Sequence, residues 1–559
     1  MAGRKKSKGS RTEFITLDSD RPSHGRTFAV TYGFADKMPI DACDKSYSCL
    51  RGNSREQIRP FSVPSFVVLN SAKELPIYFL ACALLFGGIA NAQQSAVKRL
   101  DGSTISAAEI DSTVKRLMHA AEVTGSGIAL FNDGKVAYAK GYGLRDLEKG
   151  LAFMPDTVVT AASLTKSAFA FMVMQLVQEK LLDLDKPVYL YLPKPLSEYP
   201  NYKDLANDPR YKRITARMLL SHTAGFPNWR WLQSDRKLNI NFEPGSRYAY
   251  SGEGIALLQL VVETITGKSA QELMQSRVFG PLGMTRSSLV SEERFAPDIA
   301  NRYNEYGRSF GLDARAKANA AGSMQTTLND YSRLLVAVMQ SKLITKQTRD
   351  LMLSPQVQIL SKTQYPTLST EATEANKSIH LAYGLGWGLY STPYGNAFFK
   401  EGHDEGWRNY AVCFDNGTGI LILTNSSNGE GIFKELLETL LHNKFTPIVW
   451  AGFTPYNELP PRPPLKQHTV VCVAPEILEK YAGRYGEPPD IILVIRREGD
   501  HLSFQGDESK QELFPESDVQ FFTKMSDDFF FTFELDRQGH VTSLTLHADD
   551  RAIPFKRLD

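Results

Sequence analysis

The chain has 559 residues, of which 42% are apolar, 11% aromatic and 23% charged. That length exceeds what one hydrophobic core organises, so a large domain and at least one smaller one are expected, while global disorder, collagen and disulfide-scaffold classes are excluded. Lys and Arg number 64 against 62 Asp and Glu, a balance that argues against an extended basic surface for nucleic acid. The five cysteines, Cys43, Cys49, Cys82, Cys413 and Cys472, form no C-x-x-C pair and no zinc spacing, so no metal site or disulfide framework is indicated, and whether Cys413 and Cys472 pair stays open.

Residues 1–74 open on a basic cluster (Arg4, Lys5, Lys6, Lys8, Arg11) without sustained apolar periodicity. They read as a poorly ordered or mis-assigned leader. Leu75 to Ala92 is uncharged and ends in Ala90-Asn91-Ala92, the small-x-small pattern of a signal-peptidase site. It reads as a signal peptide, with an uncleaved membrane anchor as the alternative, and implies a periplasmic or secreted protein. A signal so far inside the chain also implies a true start downstream of Met1.

From about Gly125 the pattern becomes mixed α/β. GIALFNDGKVAYAKGYG is two strand-like runs around Asn132-Asp133-Gly134, a hairpin signal. SLTKSAFAFMVMQLVQEKLL, from Ser163, reads as a helix with almost no polar face at its centre, hence a core helix. IALLQLVVETITG is another helix, closed by Gly267. NYAVCFDNGTGILILTNSS gives two more strands around Asp415-Asn416-Gly417. Strands at both ends of a helical middle predict an α+β domain over 104–450, an antiparallel sheet flanked by helices. Residues 459–466, LPPRPPLK, hold four prolines and form the linker candidate. Beyond it, short strand-like segments such as IILVI, HLSF and FFFTFEL alternate with turns, predicting a small all-β, barrel-like domain over 472–559.

The first candidate for chemistry is Ser163-Leu164-Thr165-Lys166. Positions i and i+3 share a helix face, so the Ser163 hydroxyl and the Lys166 amine can meet. A serine at a helix start has its own N–H free for an oxyanion, and a lysine among apolar residues loses its charge and becomes a base. Alone, this spacing recurs by chance, and a capping serine with a solvated lysine is the more ordinary explanation of it.

The surrounding segments decide between these. TVVTAASLTKSAFA resembles the nucleophile region of the serine β-lactamase and penicillin-binding-protein superfamily, in its class C-like branch, which also holds esterases and D-amino-acid peptidases. LLSHTAGFP, FEPGSRYAYSGEG, VFGPLGMTRS, AAGSMQTTLNDYSRLL and YGLGWGL match further landmarks in family order, over about Gly125 to Asn425. The resemblance implies a β-lactamase/transpeptidase-like fold without a cofactor. It implies Ser163 as the acylated nucleophile, Lys166 as its base and Tyr250 as the proton relay, with Tyr248 as the alternative tyrosine. The family's Asn in Y-x-N is Gly252 here, which weakens the case for a β-lactamase; Glu253 is expected to be a solvated turn residue.

The third motif lies in FFKEGHDEGWRNYAV. Lys400, Gly402, Gly406 and Trp407 satisfy its spacing, whereas a start at His403 loses one glycine. In that register Lys400 attracts a substrate carboxylate, Gly402 lets substrate approach the strand, and the backbone N–H of His403 is the second oxyanion donor. His222 is expected to be structural, and Trp229, Trp231, Tyr383 and Trp387 to line the pocket or fill the core. EILEKYAGRYGEPP resembles the opening of a β domain often appended to this branch, read as a stabilising or substrate-shielding element. The resulting expectation is an exported serine hydrolase acting on β-lactam, ester or D-amino-acid peptide substrates of small-molecule or peptidoglycan type. The alternative is a non-catalytic penicillin-binding-like receptor.

Overall fold

The structure, a computed structural model, describes residues 96–559 except 488–490, 506–509, 525–526, 528 and 549–550. The 1–74 leader and the 75–92 apolar run lie outside the described residues, and no helix among those described is long and apolar enough to cross a membrane.

The large domain is built on a nine-stranded antiparallel sheet. Its strands are β1 (Gly125–Asn132), β2 (Lys135–Asp146), β3 (Leu151–Ala152), β4 (Val357–Gln358), β5 (Ala382–Tyr383), β6 (Gly388–Thr392), β7 (Gly395–Asp404), β8 (Trp407–Phe414) and β9 (Gly419–Thr424). They lie side by side as β4-β5-β6-β7-β8-β9-β1-β2-β3. The chain leaves the sheet after β3, builds the helical middle, and returns to complete it, which pairs β9 with β1 from Gly419 opposite Phe131 to Thr424 opposite Ser126. The predicted turn after Asn132 is tight because Asp133 and Gly134 both take positive φ, 51° and 68°, the backbone twist that two-residue hairpins favour.

Unbroken apolar runs such as Ile420–Leu423 occur because both faces of this sheet are covered. Leu421 and Leu423 join Ala129 and Phe131 in a core with helices α2 (Leu164–Gln178), α3 (Gly252–Thr266) and α4 (Leu328–Met339). Ile420 and Ile422 join Ile128 and Leu130 in a second core under α1 (Ala107–Ala120) and α5 (Phe433–Leu440). Every residue of α2 from Leu164 to Leu176 is buried. Helix α3 is capped by the Ser251 hydroxyl, which accepts from the Gly254 N–H, and closed by Gly267 in the left-handed region at φ 66°, where only glycine sits without strain.

The C-terminal domain is an eight-stranded antiparallel meander, from Gly483–Glu487 to Arg551–Lys556, in strictly sequential order. Tyr485 bridges to Arg557, and the Leu558 N–H donates to Arg484 O, bringing the ends together into a nearly closed barrel. Its interior is filled by Tyr481, Phe521, Phe531 and Phe533 with Leu478 from the leading helix. Within the linker candidate at 459–466, Arg462 is buried in the large domain, donating to Glu305 O and to Asn428 Oδ1. The barrel itself rests on the hairpin at 302–311, where Arg308 donates to Lys524 O at 2.8 Å. Cys413 is a buried free thiol, so it is not joined to Cys472.

Candidate active site

Ser163 stands at the junction of a strained turn and α2. Ala162 before it is held at φ 48°, a conformation that costs an alanine energy and persists only where packing demands it. Ser163 caps no helix N–H with its side chain, so its hydroxyl stays available. Lys166, one turn on, puts Nζ 2.9 Å from Ser163 Oγ and 2.5 Å from Ala321 O. Burial, then the nearby Lys400 charge, holds the Lys166 amine well below the ordinary lysine range. A neutral amine in contact with a serine hydroxyl is a competent base.

Tyr250 arrives from the segment just before α3. Its hydroxyl accepts from Lys400 Nζ at 3.1 Å and lies near enough to the Ser163 side chain to feel it electrostatically. Both lysine Nζ atoms lie beside its ring, that of Lys166 at 5.0 Å and that of Lys400 at 4.8 Å from the centroid. Burial, then the Glu401 carboxylate, pushes its phenol well above the ordinary tyrosine range, so the proton stays on Tyr250. Tyr248 packs instead against Tyr383 and Trp450, at 5.3 and 6.0 Å between ring centroids. Of the two tyrosines, only Tyr250 is brought to Ser163.

His222 is fully enclosed under Tyr250, 4.5 Å between ring centroids, and its Nδ1 accepts the Ser251 N–H at 3.2 Å. Burial, then the two lysines, keeps it neutral. It holds the turn that carries Tyr250, the structural part expected of it. Trp387 is buried against Phe398, and Tyr383 against His222 and Tyr248. These two are core; Trp229 and Trp231, stacked 4.7 Å apart, form a wall beside Lys166, whose Nζ lies 5.7 Å from the Trp229 ring.

That wall explains Gly252. A Cβ there would lie 2.4 Å from the Trp229 ring, so the indole occupies the space an asparagine would need. Glu253 is not a solvated turn residue: it is buried on the first turn of α3 and grips Arg230 through both oxygens, at 2.9 and 2.7 Å. This pair ties the Trp229 loop to the helix.

Strand β7 closes the opposite side. Gly402 has a packing task as well: a Cβ would meet Ala161 O at 2.4 Å, so glycine lets β7 pack on the turn that carries Ser163. The two-residue turn at Glu405 and Gly406 makes Asp404 and Trp407 a hydrogen-bonded pair, so alternation leaves His403 opposite Arg408 as a non-bonded one. The His403 N–H therefore points away from β8, past the end of β6, whose pairing with β7 stops at Phe399. The His403 side chain is half-exposed and meets Glu430 at 3.2 Å.

Lys400 was expected to receive a substrate carboxylate, but its charge is answered within the chain. Its Nζ lies 2.6 Å from Glu401 Oε1, which also accepts from Gln364 Nε2 at 2.8 Å. Burial lowers the Lys400 amine and Glu401 opposes that fall. Gln364 carried no sequence signal, because it comes from an irregular stretch between β4 and β5. A cavity of about 530 Å³ lies elsewhere, at the hairpin tips near Gly134 and Gly417, and shares no residue with this site.

A helix-borne Ser and Lys, a tyrosine from a second segment and an inner strand closing the cleft define a serine acyl hydrolase. Residues 110–442 match the family model described as Beta-lactamase, more than half of the chain, and the chain belongs to that family. Residues 467–557 match a domain of unknown function, DUF3471. Among curated relatives, penicillin-binding protein 4* of Bacillus subtilis is 22% identical over 70% of this chain and 86% of its own length. The teichoic acid D-alanine hydrolase of Staphylococcus aureus is 24% identical over 48% of this chain and 67% of its own. Among solved structures, the octameric penicillin-binding protein homologue from Pyrococcus abyssi is 22% identical with a TM-score of 0.49, covering 81% of this chain and all of that one.

Proposed function

We propose that this chain is an exported hydrolase that forms an acyl-enzyme on Ser163, with Lys166 as base and Tyr250 as proton relay, and cleaves ester or D-aminoacyl bonds. The observation that carries this reading is the buried Lys166 amine 2.9 Å from Ser163 Oγ, its value held low, with the Tyr250 ring 5.0 Å from the same Nζ. Lys166 Nζ takes the Ser163 proton as Oγ attacks the carbonyl carbon. The N–H groups of Ser163 and His403 receive the oxyanion, each such donor contributing about 10²- to 10³-fold. Tyr250 gives its proton to the leaving oxygen or nitrogen and regains one from Lys166. Water then attacks the acyl-enzyme with the proton transfers reversed.

The named activities of the relatives support a D-alanyl ester or amide as the bond cleaved. Displacement of the family asparagine by Trp229 disfavours β-lactam turnover. Wild-type protein should release nitrophenol from a short-chain ester and D-alanine from a D-alanyl ester, and Ser163→Ala and Lys166→Ala should each lose at least 10³-fold. Unchanged turnover in Ser163→Ala refutes the assignment. A stable, non-hydrolysing penicillin adduct on Ser163 points instead to a receptor. Export through residues 75–92 is tested by the intact mass of the native protein, where a mature terminus at Met1 counts against it.

A further inference from the structure

We propose that Glu401 is a specificity residue: its carboxylate occupies, from inside the chain, the seat on Lys400 that a substrate carboxylate would take. The site then accepts acyl substrates that are uncharged or cationic beside the scissile bond and turns away those with a free carboxylate there. This rests on the acyl-enzyme reading only for the position of the scissile bond.

An ammonium group has three protons to donate. Those of Lys400 meet Tyr250 Oη at 3.1 Å, Glu401 O at 3.0 Å and Glu401 Oε1 at 2.6 Å, so none remains for a ligand. The Lys400 side chain is 0% exposed and that of Glu401 4%. An incoming anion would have to expel Glu401 from a buried ion pair and leave that carboxylate unmatched, which proteins tolerate poorly. Gln364 locks the arrangement from above, donating to the same Glu401 oxygen.

The cations around the cleft are engaged in the same way. Arg315 is bound to Asp313 and Asp404, Arg408 to Glu430, and Arg230 to Glu253. Arg302 meets Glu405. Each of these positive groups is already matched to a carboxylate of the chain, so a substrate carboxylate would have to compete with one of these pairs.

The test measures equilibrium binding to Ser163→Ala, which cannot turn over, with N-acetyl-D-alanyl-D-alanine and its C-terminal primary amide, a nearly isosteric pair that differs in charge. The amide should bind at least ten-fold more tightly than the acid, and adding Glu401→Gln should narrow or reverse that ratio by ten-fold or more. Equal or tighter binding of the acid in Ser163→Ala overturns the proposal. So does an unmoved ratio in the double variant, or binding of neither ligand at millimolar concentration. Should the double variant fail to fold, the preference of Ser163→Ala alone decides. Labelling of wild-type Ser163 by a serine-reactive phosphonate reads the acyl-enzyme independently, so failure of one is told from failure of the other.

Discussion

Replacing Gly402 by alanine tests how Ser163, the proposed nucleophile, and β7, the proposed source of an oxyanion donor, are held together. The added Cβ would lie 2.4 Å from Ala161 O and 3.3 Å from both Leu164 Cγ and Asn409 Cβ. Ordinary contact between carbon and carbonyl oxygen begins near 3.3 Å, so β7 and the Ala161 turn must part by about 0.9 Å. The neighbour is backbone, followed directly by Ala162 at φ 48° and by Ser163, and cannot swing aside as a flexible side chain would. Overpacking of this kind costs about 1–3 kcal/mol of stability. The catalytic cost is expected to be larger, because the same separation moves the His403 N–H relative to Ser163, and a misplacement near 1 Å lowers rates by about 100-fold. The assay is ester turnover beside thermal unfolding: kcat/KM should fall by about two orders of magnitude while the protein still unfolds cooperatively, a few degrees lower. A Gly402→Ala variant within three-fold of wild-type kcat/KM would show that β7 does not supply the second oxyanion donor.

Further outcomes follow from the same geometry. With Lys166 as the proposed base, acting as a neutral amine, falling pH should protonate it and lower kcat/KM; Lys400 helps hold the Lys166 value down, so Lys400→Met should move the acidic limb of the pH profile to higher pH, and an unmoved limb would separate the two lysines. Gly252→Asn alone should disrupt the Trp229 loop, whereas combined with Trp229→Ala it should fold and acylate faster with a cephalosporin than either single variant. His222→Ala removes the acceptor of the Ser251 N–H and should cost about 1–3 kcal/mol in urea unfolding, with activity falling alongside; full stability would mean that the turn carrying Tyr250 is held by other contacts. Arg462→Ala should expose the 459–470 stretch to limited proteolysis, and unchanged cleavage would show that the proline run is rigid by itself.

Much of the local structure is written in short-range chemistry that a sequence reading reaches directly. Asn132-Asp133-Gly134 turns because its backbone needs positive φ; Gly267 ends α3 for the same reason; the apolar run after Ser163 buries because it has no polar face. Ser163 and Lys166 meet because one helical turn separates them, and the Tyr250 and Lys400 spacings carry a family pattern. What the sequence could not show are properties of side chains far apart in the chain. Glu253 looks solvated until Arg230 is folded onto it, Gly252 looks like a missing asparagine until Trp229 fills its place, and nothing about Arg462 in its proline-rich stretch announces that Glu305 and Asn428 bind it.

The strongest instance is the Lys400 seat. Sequence alone determined that this chain carries a serine acyl hydrolase domain and a β appendage, since both follow from periodicity, turn residues and spaced motifs. Only the tertiary structure decided which charges the cleft still offers a ligand, because Gln364 and Tyr250, from two other segments, converge on the Lys400–Glu401 ion pair. Whether a charge is open or already matched depends on distance and burial, which sequence separation does not encode.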